Sequence, residues 1–195
     1  MMERKIVVGL TGPIASGKEI VSEVLKEKGF TYYSLSHRVR EEAKSRGLKL
    51  SRETLQNVGD SLRVKFGGAV LAQRTADIFR TTPNPLILVD SIRNPAEIEY
   101  LRQEFNAKII GVTASEETRF QRVLARNRDS DPKTFEEFVK AARRDQGLGQ
   151  EELGQQVKTC LKLSDVVIEN NGTVEELVKK VNETLDKLKI GKYNH

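Results

Sequence analysis

The sequence predicts an α/β protein, with a five-stranded parallel sheet flanked by helices, in which short β-rich runs alternate with longer amphipathic runs. The β-rich runs are too far apart for hairpins, so each connection must be a crossover, and crossovers produce parallel strands. The chain has 195 residues, of which 37% are hydrophobic and 31% charged, as expected of one globular domain. We therefore expect a single domain that spans residues 1–195.

The strands are predicted from short apolar runs rich in β-branched residues. Residues 5–10 (KIVVGL) form a nearly continuous apolar run, which is typical of a strand buried on both faces. The further predicted strands are 30–35, 86–90, 108–113 and 165–169.

The helices are predicted from apolar stripes and from residues that favour helix ends. In residues 14–28 a stripe of Ile20, Val21, Val24 and Leu25 precedes Gly29, which ends the helix. Thr173 and Glu176 have the spacing of a capping box. The other predicted helices are 37–46, 52–65, 69–79, 96–105, 116–125, 132–144, 151–161 and 173–189.

Composition excludes several classes of protein. One cysteine rules out an internal disulfide and a cysteine metal cluster, and the two histidines nearly exclude a histidine metal site. No apolar run approaches the ~20 residues that a membrane helix needs. The first residues lack the cleavage site of a secretory signal, so we expect a cytoplasmic protein.

The charge pattern favours small phosphate-bearing ligands over nucleic acid. The net charge of +5 is a mild excess, and basic residues are interleaved with acidic ones. The absence of tryptophan also argues against a surface that stacks on bases. We expect small-molecule nucleotides as partners, no membrane, and a monomer or homodimer.

A phosphate-binding loop follows the first predicted strand. The run matches G-x-x-x-x-G-K between a strand and a helix, the context that a P-loop requires. Its backbone N–H groups and the helix N-terminus would hold phosphate oxygens, and Lys18 would reach the β and γ phosphates of ATP. The residues are Gly12, Pro13, Ile14, Ala15, Ser16, Gly17, Lys18 and Glu19.

The last position of this motif is irregular. A serine or threonine hydroxyl normally binds Mg²⁺ there, but this chain has Glu19. Glu19 could hold the metal, since carboxylates suit Mg²⁺. The metal could instead depend on the nucleotide and another acidic residue, or nucleotide binding could persist with weak catalysis.

Charged residues also follow two other predicted strands, at the edge of the sheet where ligands bind. Asp90 ends a buried apolar strand in a Walker B arrangement, which holds Mg²⁺ or its waters. Arg93 follows it, and Arg40 lies near the start of the helix after the second strand. Either arginine could grip an acceptor phosphate, although Arg40 could equally be a solvated helix residue.

An arginine-rich segment follows the fourth predicted strand. Arg126 and Arg128 end one helix, and Arg143 and Arg144 belong to the next. Such a flap could close guanidinium groups over a transferring phosphate, or it could be a salt-bridged surface hairpin. After the fifth strand, Asn171 and Gly172 form a turn that could contact a nucleotide base.

These motifs together resemble the P-loop nucleoside-monophosphate kinase superfamily over nearly the whole chain. The segment SLSHRVR resembles the one whose arginine binds the acceptor phosphate, and VDSIR resembles the Asp-Gly-x-x-Arg strand end. RNRDSDPKTFEEF is similar to the lid arginines, and SDVVIENNGTVEEL resembles the last strand and turn of dephospho-CoA kinases. With GDSLR, these motifs are most similar to an adenylate-kinase-like and dephospho-CoA-kinase-like group of ATPases.

The resemblance implies a three-layer P-loop NTPase fold and phosphoryl transfer from ATP with Mg²⁺. Lys18, Asp90, Arg126 and Arg128 would be catalytic. The resemblance implies acceptor-binding residues at Arg40 and Arg93 and at Arg143 or Arg144. We expect an acceptor-binding region near 36–82 and a lid near 126–150.

The acceptor is left open at this stage. It could be a nucleoside or deoxynucleoside monophosphate or dephospho-CoA, because Ser36 and His37 stand where adenylate kinases have Gly-Asp. One alternative function is an ATP-binding regulatory or ATPase module that phosphorylates no acceptor. A second is a basic RNA- or DNA-binding protein in which the P-loop is incidental.

Overall fold

The computed structural model describes residues 5–127, 131–147 and 154–190. The strands are β1 (Ile6–Thr11), β2 (Thr31–Ser34), β3 (Leu86–Ile92), β4 (Lys108–Thr113) and β5 (Val166–Glu169). The helices in these ranges are α1 (Lys18–Glu27), α2 (Leu35–Ser45), α3 (Arg52–Phe66), α4 (Val70–Phe79), α5 (Pro95–Phe105), α6 (Glu116–Arg126), α7 (Phe135–Asp145), α8 (Val157–Lys162) and α9 (Val174–Lys187).

The strands form one five-stranded sheet in the order β2-β3-β1-β4-β5. Every neighbouring pair is parallel, which confirms the predicted sheet. Helices cover both faces, so the chain has the three-layer α/β architecture of P-loop NTPases.

The central strand β1 shows why its sequence is nearly all apolar. Val7 packs into a core with α2 to α5 and α8, whereas Val8 and Leu10 pack into a second core with α1 and α9. Alternate side chains of a strand point to opposite faces, and here both faces are buried. The two cores hold the carboxyl ends of the strands in fixed positions.

Three predicted helices begin three or more residues later than their sequences suggest, and one of them is the helix predicted from 132, which begins at Phe135. The first begins at Lys18 because residues 12–17 form a loop with left-handed backbone at Ala15 and Gly17. The eighth begins at Val157, since the backbone N–H of Gln156 donates to the carbonyl of Arg93 at 2.6 Å. The prediction that this helix starts at 151 falls on residues outside the described ranges.

A bulge reshapes the end of β3. Gly9 pairs with Val89, but Thr11 pairs with Ile92, so β3 has one extra residue over this stretch. Ser91 has a φ of 67°, a left-handed conformation that is uncommon for serine. The bulge redirects Asp90 and Ser91 beside the carboxyl end of β1, and bulges often re-aim side chains in this way.

The strand order creates a crevice between β1 and β3. From β1 the chain continues to β2, which lies toward one edge of the sheet. From β3 it continues to β4, which lies toward the opposite edge. Ligands bind in open parallel sheets where connections diverge like this. Within the described ranges, no helix combines the length and apolar character that crossing a membrane requires.

Candidate active site

The loop between β1 and α1 needs glycine at two positions. Gly12 and Gly17 have φ angles of 146° and 103°. An added Cβ at Gly12 would lie 2.1 Å from the Val112 carbonyl oxygen, and one at Gly17 would lie 2.1 Å from the Asn170 amide nitrogen. Helix α1 has no side-chain hydrogen bond at its N-cap, so its first N–H groups suit an anion.

Lys18 is held at this loop. Its Nζ donates to the carbonyl oxygens of Gly12 and Pro13 at 2.7 and 2.9 Å. Burial lowers the pKa of Lys18 to about 8, with a smaller contribution of the same sign from Arg93. A phosphate at the loop would raise this pKa again and keep the amine charged.

Asn170 fixes the far side of the loop, and sequence reasoning missed it. Its Nδ2 donates to the Ser16 carbonyl at 2.9 Å, and its buried side chain accepts from Arg122 at 3.3 Å. Asn171 instead accepts from the backbone N–H of Ser115. Gly172 lines the cleft described below, and the base-contact role of the turn stays a prediction.

Asp90 has one anchored and one unpaired carboxylate oxygen. Oδ2 accepts hydrogen bonds from the Tyr32 hydroxyl at 3.0 Å and from Ser91 at 3.3 Å. Burial and the Asp90 charge both raise the pKa of Tyr32, so the phenol remains a donor. Oδ1 is buried and has no hydrogen-bond partner among the described residues.

The unpaired Oδ1 fits a cation site, since carboxylate oxygens are preferred ligands of Mg²⁺. Glu19 lines the same cleft, and its charge also raises the pKa of Tyr32. In the described ranges, no three His, Cys, Asp or Glu side chains cluster as a complete metal site. A cation here would therefore depend on nucleotide phosphates together with Asp90.

A cleft of about 530 Å³ joins these groups. The phosphate loop forms one wall, and Asp90, Ser91 and Tyr32 lie across from it. Five guanidinium groups line the cleft among the described residues: Arg40, which lies exposed at its edge, and Arg52, Arg93, Arg122 and Arg126. The concentration of positive charge suits a polyphosphate ligand.

A second cavity, here called the inner pocket, adjoins the cleft and has a volume of about 160 Å³. Arg40, Arg52 and Arg93 line both spaces. The lining of the inner pocket contains both apolar and charged side chains. Its described lining residues are Leu35, Ser36, Val39, Arg40, Arg52, Leu55, Gln56, Gly59, Arg63, Leu71, Ser91, Arg93, Asp145 and Gln155.

Arg93 and Arg52 share a carboxylate partner that the sequence did not reveal. Asp145 Oδ1 lies 2.6 Å from Arg93 Nη1 and 3.5 Å from Arg52 Nη2. Burial acts to raise the pKa of Asp145, but Arg93 and Arg52 outweigh it and hold the pKa below its ordinary value. Burial lowers the pKa of Arg52, although guanidinium remains charged at neutral pH.

The predicted lid arginines occupy different places. Arg126 lines the cleft and makes a two-point ion pair with Asp131, at 2.6 and 2.7 Å. Arg128 lies outside the described residues. Arg144 binds Asp60 at 2.8 Å, and Arg143 lines a separate groove. Neither Arg143 nor Arg144 lines the cleft or the inner pocket, and their acceptor contact stays a prediction.

A buried ion pair supports Arg93 from behind. Arg63 donates to Glu97 Oε1 from Nε and Nη2 at 3.0 and 2.8 Å. Glu97 Oε2 accepts from the backbone N–H groups of Arg93 and Asn94, at 2.8 and 3.1 Å. Arg63, from the GDSLR motif, thus links α3 to the residues that follow β3.

Replacing Arg63 with methionine is expected to destabilise the fold by about 3–5 kcal/mol, because the buried Glu97 carboxylate loses its charged partner. The side chains of Arg63 and Glu97 are 2% and 0% exposed. Urea unfolding of Arg63→Met measures the change. Arg80→Met is the control, because the ion pair of Arg80 with Glu104 is solvent-exposed. Its loss should lower the free energy of unfolding by less than about 1 kcal/mol. Equal losses in the two variants would contradict the assignment.

Comparisons with known proteins agree with this geometry. A family profile described as an AAA domain matches residues 8–144. The UPF0200 protein of Hyperthermus butylicus is 31% identical over 184 residues, which are 94% of this chain and 95% of that protein.

Two solved structures share the fold. The crystal structure of TT1252 from Thermus thermophilus superposes with a TM-score of 0.63 at 21% identity, over 95% of this chain and 99% of that one. Shikimate kinase from Aquifex aeolicus superposes with a TM-score of 0.53 at 14% identity, over 94% of this chain and 98% of that one. At these identities the likeness concerns the fold.

The profile match covers most of the chain. The chain therefore belongs to the AAA domain family, alongside the UPF0200 proteins.

Proposed function

We propose that this protein is a kinase that transfers the γ-phosphate of ATP to a nucleotide-like acceptor. One observation carries the proposal: the phosphate-loop lysine, the unpaired oxygen of Asp90 and several guanidinium groups line one cleft, which adjoins a second pocket. Phosphoryl transfer depends on positioning and on stabilising negative charge, so two adjoining phosphate sites suit it.

The nucleotide half of the site consists of the loop and α1. The backbone N–H groups of residues 14–19, which include the N-terminus of α1, bind the β and γ phosphates in this proposal, with Lys18 as the point charge. A phosphate would compete for the Lys18 amine with the loop carbonyls of Gly12 and Pro13. Asn170 holds the loop in its conformation through Ser16.

Asp90, with or without Glu19, would hold Mg²⁺, which neutralises phosphate charge when bound. Tyr32 and Ser91 fix the orientation of the Asp90 carboxylate by occupying Oδ2. If the acceptor group is a hydroxyl, as in dephospho-CoA, Oδ1 of Asp90 is the candidate to accept its proton.

The acceptor half consists of the inner pocket and its arginines. Arg93 lies on both spaces and Arg40 lies at their exposed edge, which suits both residues to an acceptor phosphate. Arg126 would stabilise charge on the transferring group, together with Arg128, and would have to exchange Asp131 for phosphate. The apolar lining residues Leu35, Val39 and Leu71 would contact the uncharged part of the acceptor.

Replacing Glu19 with serine tests how the irregular loop position works. Serine restores the hydroxyl usual at this position, so turnover should be kept or rise if a hydroxyl suffices. The measurement is initial rate against Mg²⁺ concentration, with Glu23→Ser on the exposed face of the same helix as control. A Glu19→Ser variant that needs at least about tenfold more Mg²⁺ would show that the carboxylate itself helps to hold the metal.

A coupled assay for ADP release with Mg²⁺ tests the proposed function. The panel contains ribo- and deoxynucleoside monophosphates and dephospho-CoA. The proposal predicts that one acceptor accelerates ADP release well above the rate without acceptor. A panel in which no acceptor accelerates ADP release contradicts it.

A second candidate function is an ATP-binding regulatory or ATPase module without an acceptor. The observation that favours it is Glu19, since the hydroxyl that normally binds Mg²⁺ is missing. It predicts that ATP binds and that ADP release, if any, is the same with every acceptor.

A further inference from the structure

The inner pocket contains unbalanced positive charge. Arg40, Arg52, Arg63 and Arg93 line it, and Asp145 is the one acidic side chain among its described lining residues. Glu97 neutralises Arg63 from outside the pocket. Two positive charges therefore remain in excess, and a phosphate monoester carries about −1.5 to −2 near neutral pH.

Asp145 pairs with two of these cations, Arg93 and Arg52. Its Oδ1 is the atom that both Arg93 and Arg52 approach, at 2.6 and 3.5 Å, and its side chain is 1% exposed. Its Oδ2 and the Nε of Arg52 are buried without hydrogen-bond partners among the described residues. The Asp145 carboxylate therefore leaves the Nε donor of Arg52 unused. A phosphate, which has three acceptor oxygens, could accept a hydrogen bond from it.

The carboxylate and the guanidinium groups come from different elements. Asp145 ends α7, whereas Arg52 begins α3 and Arg93 follows β3. Helix α7 is held by a small cluster around Ile14, Val123 and Phe138, separate from the two main cores. Displacing Asp145 would therefore leave both main cores intact.

We infer that Arg52 and Arg93 form a phosphate subsite for the acceptor, and that Asp145 is an internal anion which the phosphate monoester of the acceptor displaces. This inference rests on the proposed function for the role of the inner pocket. It adds Arg52 and Asp145 to the site and restricts the acceptor to molecules that bear a phosphate monoester. An acceptor with one carboxylate would supply a single negative charge and leave the pocket unbalanced.

The exchange also connects the acceptor to α7. While Asp145 pairs with Arg52 and Arg93, the end of α7 is tied to the inner pocket. A bound phosphate releases this contact, so acceptor binding would change the position of the helix that carries Arg143 and Arg144. A nucleoside without phosphate would leave the contact in place.

Thermal unfolding of Asp145→Asn during titration with inorganic phosphate tests the inference. Without its counter-charge the subsite should bind phosphate about tenfold more tightly than in the wild type, and phosphate should restore the lowered Tm. Asp165→Asn is the control, because Asp165 also pairs with two cations, Arg102 and Lys108, but precedes β5 at the other edge of the sheet. Equal responses to phosphate in Asp145→Asn and Asp165→Asn would overturn the inference.

Arg52→Gln gives a second test if Asp145→Asn does not fold. The 2.6 Å pair of Asp145 with Arg93 remains in this variant, so the fold keeps its shorter contact. Phosphate affinity should fall about tenfold relative to Arg74→Gln, which removes a guanidinium outside both spaces. Unchanged phosphate affinity in Arg52→Gln would overturn the inference.

Neither test uses nucleotide or turnover, and each variant is compared with one whose substitution lies outside the linings of both the cleft and the inner pocket. The inference can therefore fail while the acceptor assay succeeds. In the opposite case, the variants change phosphate affinity as expected but no acceptor is phosphorylated. That result would support the phosphate subsite and contradict the proposed function.

Discussion

Replacing Lys18 with alanine should lower turnover at least about a hundredfold, since removing one donor to a transition-state oxyanion commonly costs 10²–10³ in rate. The variant keeps the loop glycines and the Asn170 contact, so the fold should persist. The lost group is the half-buried amine that lies between the carbonyls of Gly12 and Pro13.

The pH dependence of nucleotide binding provides a second measurement for this variant. The Lys18 pKa in the free protein is about 8, so the amine is charged below that pH and loses its proton above it. The Kd for ADP should rise between pH 7 and pH 9.5 in the wild type, and this rise should be weaker in Lys18→Ala. Lys26→Ala, which removes an exposed lysine from the same helix, is the control. Wild-type turnover in Lys18→Ala would contradict the assignment of the loop.

Replacing Asp90 with asparagine should remove most Mg²⁺-dependent turnover, with a loss of about 10²–10⁴. Asparagine has the same shape, and its carbonyl oxygen can still accept the Tyr32 hydrogen bond. What disappears is the negative charge and the unpaired oxygen Oδ1, the group that fits a cation or an acceptor proton.

Tyr32→Phe separates charge from orientation at the same carboxylate. It keeps the Asp90 charge but removes the hydroxyl that donates to Oδ2 at 3.0 Å. Loss of a group that orients a metal ligand typically costs about 10–100-fold, so Tyr32→Phe should be impaired less than Asp90→Asn. Steady-state rates at saturating Mg²⁺ compare the variants. An Asp90→Asn enzyme as active as Tyr32→Phe would contradict a role for the charge.

The fold and the nucleotide half of the site follow from local sequence. Each strand is a short run of apolar or β-favouring residues, and the loop signature lies between β1 and α1, so its place at the sheet edge follows from the strand. Asp90 was predicted for the same reason, because it lies near the end of a buried strand. The delayed start of α1 reflects the left-handed backbone of the loop, which the helical pattern of residues 14–28 concealed.

The site residues that the sequence did not predict, Asp145 and Asn170, are brought to the site by contacts between distant parts of the chain. Asp145 is 52 residues from Arg93 along the sequence, and Asn170 is 154 from Ser16. Sequence periodicity does not predict such a long-range pair, and the pattern around Asp145 is that of an ordinary polar residue at a helix end. Asn170 directly follows β5, a position that favours a place at the site. The Asn-Gly turn signature, however, indicates Asn171 instead.

Transfer of label from γ-labelled ATP tests the central claim most directly. The protein is incubated with labelled ATP, Mg²⁺ and each nucleotide of the panel, and the products are separated. Our account predicts label in one phosphorylated acceptor, and loss of that product in both Lys18→Ala and Asp90→Asn. Label found as free inorganic phosphate alone, at the same rate with every acceptor, would contradict it and would favour the ATPase module.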